Sequence, residues 1–395
     1  MKAVAIGDRR KLHVHEFADR VTGRTIRRLT DPQELSHHPY FYNRIFTADG
    51  SGLVVAIRRE GRRNLYLLNL EEQEELQLTD SDNILDFSAN LSPDGRALFF
   101  CRGNSIVRLV LATLRESVVY ETPEGWVGYD NPGLSADGEW IATVEMRAED
   151  RLVSDGGWVV FEAQWAARPL CRIVSVHLPT GRVRIVHEER CWLGHPQPRP
   201  GDPATILYCH EGPSHRVDAR LWLANAADGA IRCMRPQQPG EMISHEFWLA
   251  DGSAVACVYR QQAALGSGGS EEVVDPATYR PRTESSELRE LLLKIDAVTL
   301  AETPMMESSP YCHFIANEAF TLAVGDGQTS EAPYLYAANL LERTEEIVCA
   351  HDTSWNAYGT NQDSHPHPAF HPDERRIVFT SDRDGLPAVY MTTRP

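Results

Sequence analysis

Two histidines and a glutamine fall within one short stretch, Gln362-Asp363-Ser364-His365-Pro366-His367, inside the run from Asn361 to Pro368. Its alternating prolines resist helix and favour an extended backbone, on which side chains two residues apart share a face. Imidazole nitrogens joined by an amide oxygen on such a face suit a divalent transition metal. Read alone, the run is equally a histidine-rich loop with no ligand, so the reading depends on what converges with it.

What converges is a set of histidines in equivalent places. The elements that must position them are written as a phrase of the type Phe/Leu-x-x-Asp-Gly followed by apolar residues: FTADGSGLVVAI from Phe46, LSPDGRALFFC from Leu91 and LSADGEWIATV from Leu134. Looser versions start at Pro198, Phe247, Phe314 and Phe370. Seven units, commonly about 45 residues apart with short strands between turns, are the signature of propeller blades. In such a fold the innermost strands line the axis, and residues just before each turn point toward one mouth. His195, His245 and His313 precede the fourth, fifth and sixth turns, and His365 and His367 the seventh. A single such histidine is more often a structural residue, whereas five in register point to a site. His313, one unit before the Gln362 segment, completes a set of three imidazoles and one amide oxygen. That set suits catalytic zinc and an octahedral Mn2+-like ion equally.

Arg220, in Val217-Asp-Ala-Arg220, lies in the unit before His245. Its planar fork suits a carboxylate ligand, and an ion pair between blades is the competing structural role. His195 and Arg199 are candidate contacts to a second carboxylate by the same reasoning.

The expected fold is all-β: a seven-bladed β-propeller, residues 1–395 as a single domain. The last unit stops one strand short after Ala388 to Arg394, so the segment Thr22 to Thr30 is expected to pair there and join the N-terminal and C-terminal strands in the last blade. Two stretches interrupt the period. A long loop insertion about 261–289 falls between strands of the fifth blade, and 147–165 forms a loop with helical character in the third.

Composition sets outer limits. With 395 residues and a formal net charge of -17, the chain would repel long polyanions and carries no footprint for nucleic acid. No apolar run approaches the roughly 20 residues that span a bilayer, and Met1 to Phe17 lacks the pattern of a signal peptide. Eight scattered cysteines with no C-x-x-C pair suit a reducing compartment, so the expected location is cytoplasmic, with no membrane partner.

The ordered segments Trp192-Leu-Gly-His-Pro196, Cys209-His-Glu-Gly-Pro213, Val217-Asp-Ala-Arg220, Ser244-His-Glu-Phe-Trp248, Val324-Gly-Asp-Gly327 and His365-Pro-His-Pro368, with Tyr40-Phe-Tyr42, together resemble the oligogalacturonate lyase family, polysaccharide lyase family 22. The resemblance implies a cytoplasmic seven-bladed propeller that cleaves short pectin fragments by β-elimination, with Mn2+ as the ion. It also implies His245 as the proton-abstracting base, Arg220 as the cation facing the carboxylate, and His313, Gln362, His365 and His367 as metal ligands. The insertion about 261–289 is longer than is usual in the family, and the segment after Gly327 shorter. Both bear on substrate preference.

The proton at C5 of a galacturonide is not acidic while the adjacent carboxylate keeps its charge. A metal and Arg220 would neutralise it, and neutral His245 would take the proton. The competing readings are a related lyase acting on another uronate oligosaccharide and a non-catalytic, TolB-like binding propeller. A serine peptidase propeller is excluded, because there is no G-x-S-x-G elbow.

Overall fold

The computed structural model describes residues 5–153, 161–213, 216–238, 240–261, 289–328, 332–360 and 362–395. The described chain is nearly all strand; its helical pieces are the turn Ala148–Asp150 and the short helix Phe161–Ala166, both in the stretch expected to be a loop with helical character. No described helix is long and apolar enough to cross a membrane. The strands form seven antiparallel sheets of four or five strands, each a meander in chain order apart from the N-terminal strands added to two of them, which is the blade pattern of a seven-bladed β-propeller. The loop expected between strands of the fifth blade falls between its second and third strands, Ala254–Gln261 and Arg289–Asp296. Its residues 262–288 lie outside those described.

The chain divides into two compact units, one built mainly from Met1–Val118 and Ser309–Pro395, the other from Val119–Pro276 and Glu284–Ser308. The first unit holds blades one, two, six and seven. Leu53 to Ile57 in the strand Gly52–Arg59 are all buried, because neighbouring blades cover both faces of a middle strand and favour a continuous apolar run over strict alternation. One apolar cluster joins blade one to blade seven through Leu53, Val55, Val378 and Val389. Another joins it to blade two through Val54, Leu65, Leu98 and Phe100.

The last blade is completed by the N-terminal segment, as expected: Thr25–Arg28 pairs with Ala388–Thr393. Its Ile26 is 0 % exposed and packs with Val324, Phe379 and Tyr390. The sequence did not reveal that His15–Ala18 adds a fifth strand outside it, or that Arg9–Lys11 pairs with Glu74–Gln77 on blade one. Both segments are too short and polar to carry a strand periodicity.

The second unit holds blades three to five, with a core of Val144, Ile173, Ile206 and Tyr208 under blades three and four. A second core, of Leu207, Ile243, Val255 and Leu293, lies under blades four and five.

The recurring Asp-Gly phrase has a local cause. Asp94 accepts from Ser92 Oγ at 2.6 Å and from the Arg96 amide at 3.0 Å, closing a turn whose next residue, Gly95, has φ +66°. Glycine suits that left-handed position, and Asp closes the turn without help from distant residues. Two of the looser units, those from Phe314 and Phe370, place Phe320 (φ 50°) and Glu374 (φ 55°) there, which explains why their sequences depart from the phrase.

Candidate active site

In the first unit, three of the expected ligands converge. The strand Tyr311–Ala316 shifts register between Tyr311 and Phe314, a bulge that re-aims Cys312 and His313. The ring of His313 lies 4.2 Å from that of His367 and 5.5 Å from that of His365, centroid to centroid. One nitrogen from each of the three lies within 4.8 Å of the others.

Asp326, 0 % exposed on the next strand, organises them. Its Oδ1 accepts from the His313 amide at 2.6 Å, and its Oδ2 from His313 Nδ1 at 2.8 Å and from the His367 amide at 3.2 Å. With Nδ1 committed to a carboxylate, His313 presents Nε2 as its electron-pair donor, the arrangement that outer carboxylates impose on metal-binding histidines. Cys312 Sγ lies 3.6 Å from that same Nε2. Burial and then His313 push the His365 imidazole down to about 3, so it is neutral, as a ligand must be. His365 Nδ1 is buried with no hydrogen-bond partner among the described residues.

The walls are aromatic: Phe41 and Tyr40 pack on His367, Phe41 also on His313, and Trp355 on His365 at 4.8 Å. Gln362 sits in the turn leading in, where its carbonyl accepts from the His365 amide at 3.0 Å. Three imidazoles, one with its tautomer set by a buried carboxylate and one held neutral by burial, fit a divalent ion.

In the second unit, the innermost strands of blades four and five repeat the device. Leu193–Arg199 shifts register between Gly194 and Gln197, and Glu241–Trp248 between Ser244 and Phe247. His195 (φ 53°) and His245 (φ 55°) sit at those bulges in left-handed backbone, and His367 in the first unit has φ 45°. His245, His313 and His367 each stand seven residues before the left-handed residue of their turn, whereas His195 stands six before Gly201 and His365 nine before Glu374, so three of the five expected histidines share one register.

Arg220 is buried and engaged. Its Nε donates to Glu246 Oε2 at 2.7 Å, and its Nη2 to Glu211 Oε1 at 3.1 Å and to Glu246 Oε1 at 3.4 Å. The inter-blade ion pair weighed against a functional role is therefore present, with Glu211 and Glu246 as partners. Its Nη1 carries no hydrogen bond among the described residues, which leaves one edge of the fork for a ligand. The two carboxylates also flank His195, at 3.3 Å from Nδ1 to Glu246 and 3.5 Å from Nε2 to Glu211, while the His195 amide donates to Asp130. Burial alone would lower the His195 imidazole, but its bond to Glu246 and the charges of Asp130 and Glu211 outweigh it and push it up to about 9. Arg220 holds Glu246 well below the usual carboxylate range against the opposing effect of burial.

Arg199 is not brought to this cluster. It lies at the far end of its strand, where Nε donates to the Gly252 carbonyl at 2.8 Å and the guanidinium rests over Trp248. A strand carries its two ends too far apart for His195 and Arg199 to share a small ligand group.

Sequence reasoning passed over Asp326, Glu246, Glu211 and Asp130 as functional groups. Asp326 and Glu246 stand within motifs quoted above, beside Gly325 and His245, but their roles depend on partners from other strands.

The family described as oligogalacturonate lyase matches residues 4–395. Among curated relatives, the oligogalacturonate lyase of Dickeya dadantii (strain 3937) and the oligogalacturonide lyase of Pectobacterium atrosepticum are each 35 % identical, over 99 % of this chain and 99 % of theirs. Among solved structures, an oligogalacturonate lyase in complex with manganese is 37 % identical with a TM-score of 0.89, covering 99 % of both chains. An oligogalacturonate lyase from Vibrio parahaemolyticus is 34 % identical with a TM-score of 0.87 at the same coverage. The seven-bladed β-propeller expected from the repeats is thus the fold, and with the match extending over essentially its whole length, the chain belongs to the oligogalacturonate lyase family.

Proposed function

We propose that this chain cleaves short oligogalacturonides, digalacturonate and its unsaturated counterpart among them, by β-elimination in pectin breakdown. The observation that carries the reading is the cluster of His313, His365 and His367 around Asp326, in a chain that aligns end to end with an oligogalacturonate lyase in complex with manganese. His313, His365 and His367, with Gln362 as the oxygen donor, would hold the divalent ion, Mn2+ in that relative. When bound, the ion supplies positive charge to the uronate carboxylate and so makes the neighbouring C–H acidic.

This chain's own groups do the rest. The open Nη1 edge of Arg220 meets the carboxylate, and its pairing with Glu246 and Glu211 keeps the guanidinium fixed. His245, half-buried and aimed by its bulge, takes the C5 proton as a neutral imidazole. The C5–H electron pair becomes the C4–C5 double bond, the C4–O pair leaves with the departing sugar oxygen, and water protonates that oxygen. His195, whose ring nitrogens face carboxylates, supports Arg220 in this scheme, and Arg199 has no part in it. We place the protein in the cytoplasm, a location supported by its eight free thiols.

Incubation of purified protein with digalacturonate, with Mn2+ or with a chelator, should give the ultraviolet absorbance of a conjugated double bond only when metal is present; silence under every metal sinks the reading. His245→Ala should lose about 100-fold or more in kcat while still binding Mn2+. His365→Ala should lose both.

A further inference from the structure

A second buried charged cluster lies in the first unit, against the metal-ligand segment. Asp363, 0 % exposed, directly follows Gln362. It is gripped by residues from blades one and two. Arg63 Nη2 lies 3.2 Å from Asp363 Oδ1 and 3.3 Å from Oδ2, and Arg63 Nη1 donates to Asp86 Oδ2 at 2.7 Å. His37 Nε2 lies 2.9 Å from Asp86 Oδ2 and 3.8 Å from Asp363 Oδ1, with its ring stacked on Phe87. His37, Asp86 and Asp363 are close enough to be mistaken for a metal site. The Arg63 guanidinium already bridges both carboxylates, so the cation there is the protein's own.

Asp363 passes this grip to the backbone beside it. It accepts from the Thr360 amide at 2.6 Å and from Thr360 Oγ1 at 3.0 Å, while the His365 amide closes onto the Gln362 carbonyl. The segment before it is seated on the same blade. Arg58 donates to the Tyr358 carbonyl at 3.3 Å, and Gly359 lies so close that a Cβ there would collide with Arg63 Nη2. Such a grip costs a buried charge network, and nothing in the strand ladders of blades one and two requires it.

We propose that Arg63, His37 and Asp86 are positioning residues for the metal. By clamping Asp363 they fix the turn from Gln362 to His365, so that the ligands it carries are already placed when the ion arrives. The proposal rests on the ligand set assigned above.

The test is Mn2+ affinity, read from the electron paramagnetic resonance of free Mn2+ during titration of chelator-treated, dialysed full-length protein. Arg63→Met and Asp363→Asn should each weaken Mn2+ binding by about 10- to 100-fold. Arg63→Lys, which keeps the charge but loses the fork, should fall between them and the parent. The kcat of Arg63→Met should return toward the parent's at saturating Mn2+. Parent-like Mn2+ affinity in a folded Arg63→Met protein overturns the proposal, as does a lowered melting temperature with affinity unchanged. If Arg63→Met does not fold, His37→Gln carries the same test with the same two outcomes. His313→Ala separates the readings: if it too keeps full affinity, the ligand set is wrong, whereas if it loses the metal while the Arg63 variants do not, only the positioning role fails.

Discussion

At the scale of single residues, the chemistry rests on which groups are held charged and which neutral. His365 is kept neutral by burial, whereas His195 is kept protonated by Glu246, Asp130 and Glu211 with Arg220 close by. An imidazole raised from about 6.5 to about 9 on folding contributes stability that is fully present below the lower value and is lost as pH rises through the higher one. His195→Gln should therefore lower the melting temperature at mildly acid and neutral pH by a few degrees, with the difference from the parent closing above about pH 9. A gap that stays constant across that range would show that the proton on His195 is not what matters. His245, His313 and His367 could be found from the sequence because their spacing to the turns repeats, and Arg220 because it lies in the unit before His245. Their carboxylate partners could not, since Asp326, Glu246 and Glu211 act on groups brought alongside only by strand pairing and blade stacking.

At the scale of elements, the Asp-Gly turns announce themselves because each is closed by its own residues. The strand Thr25–Arg28 could be found too, since the last blade lacked an outer strand and Ile26 supplies an apolar plug. The added strands Arg9–Lys11 and His15–Ala18 left no such trace, because mostly exposed polar side chains on a sheet edge impose no period. Ile26 should carry much of the closure of the last blade. Ile26→Ala should cost about 2 to 5 kcal/mol in thermal or denaturant unfolding, as a fully buried side chain leaving a cavity does. A loss well under 1 kcal/mol would mean that the backbone ladder alone holds the strand.

At the scale of the whole molecule, a seven-fold repeat has been specialised by changing what stands at one register position. The positions seven residues before Gly50 and Gly95 hold Asn43 and Ser88, whose side chains donate to backbone carbonyls, where the sixth and seventh blades carry His313 and His367. The left-handed histidines carry a further implication. A side chain with a Cβ is held at His245 in a conformation that disfavours it by about 1 kcal/mol or more, and that asparagine tolerates better. With His245 as the proposed base, the fold works against that assignment's own group: His245→Asn should melt at or above the temperature of the parent in calorimetry while losing turnover, and a clear drop in melting temperature would refute this. On that assignment, a population free of selection for pectin breakdown would drift first at His245, toward a sturdier and silent propeller.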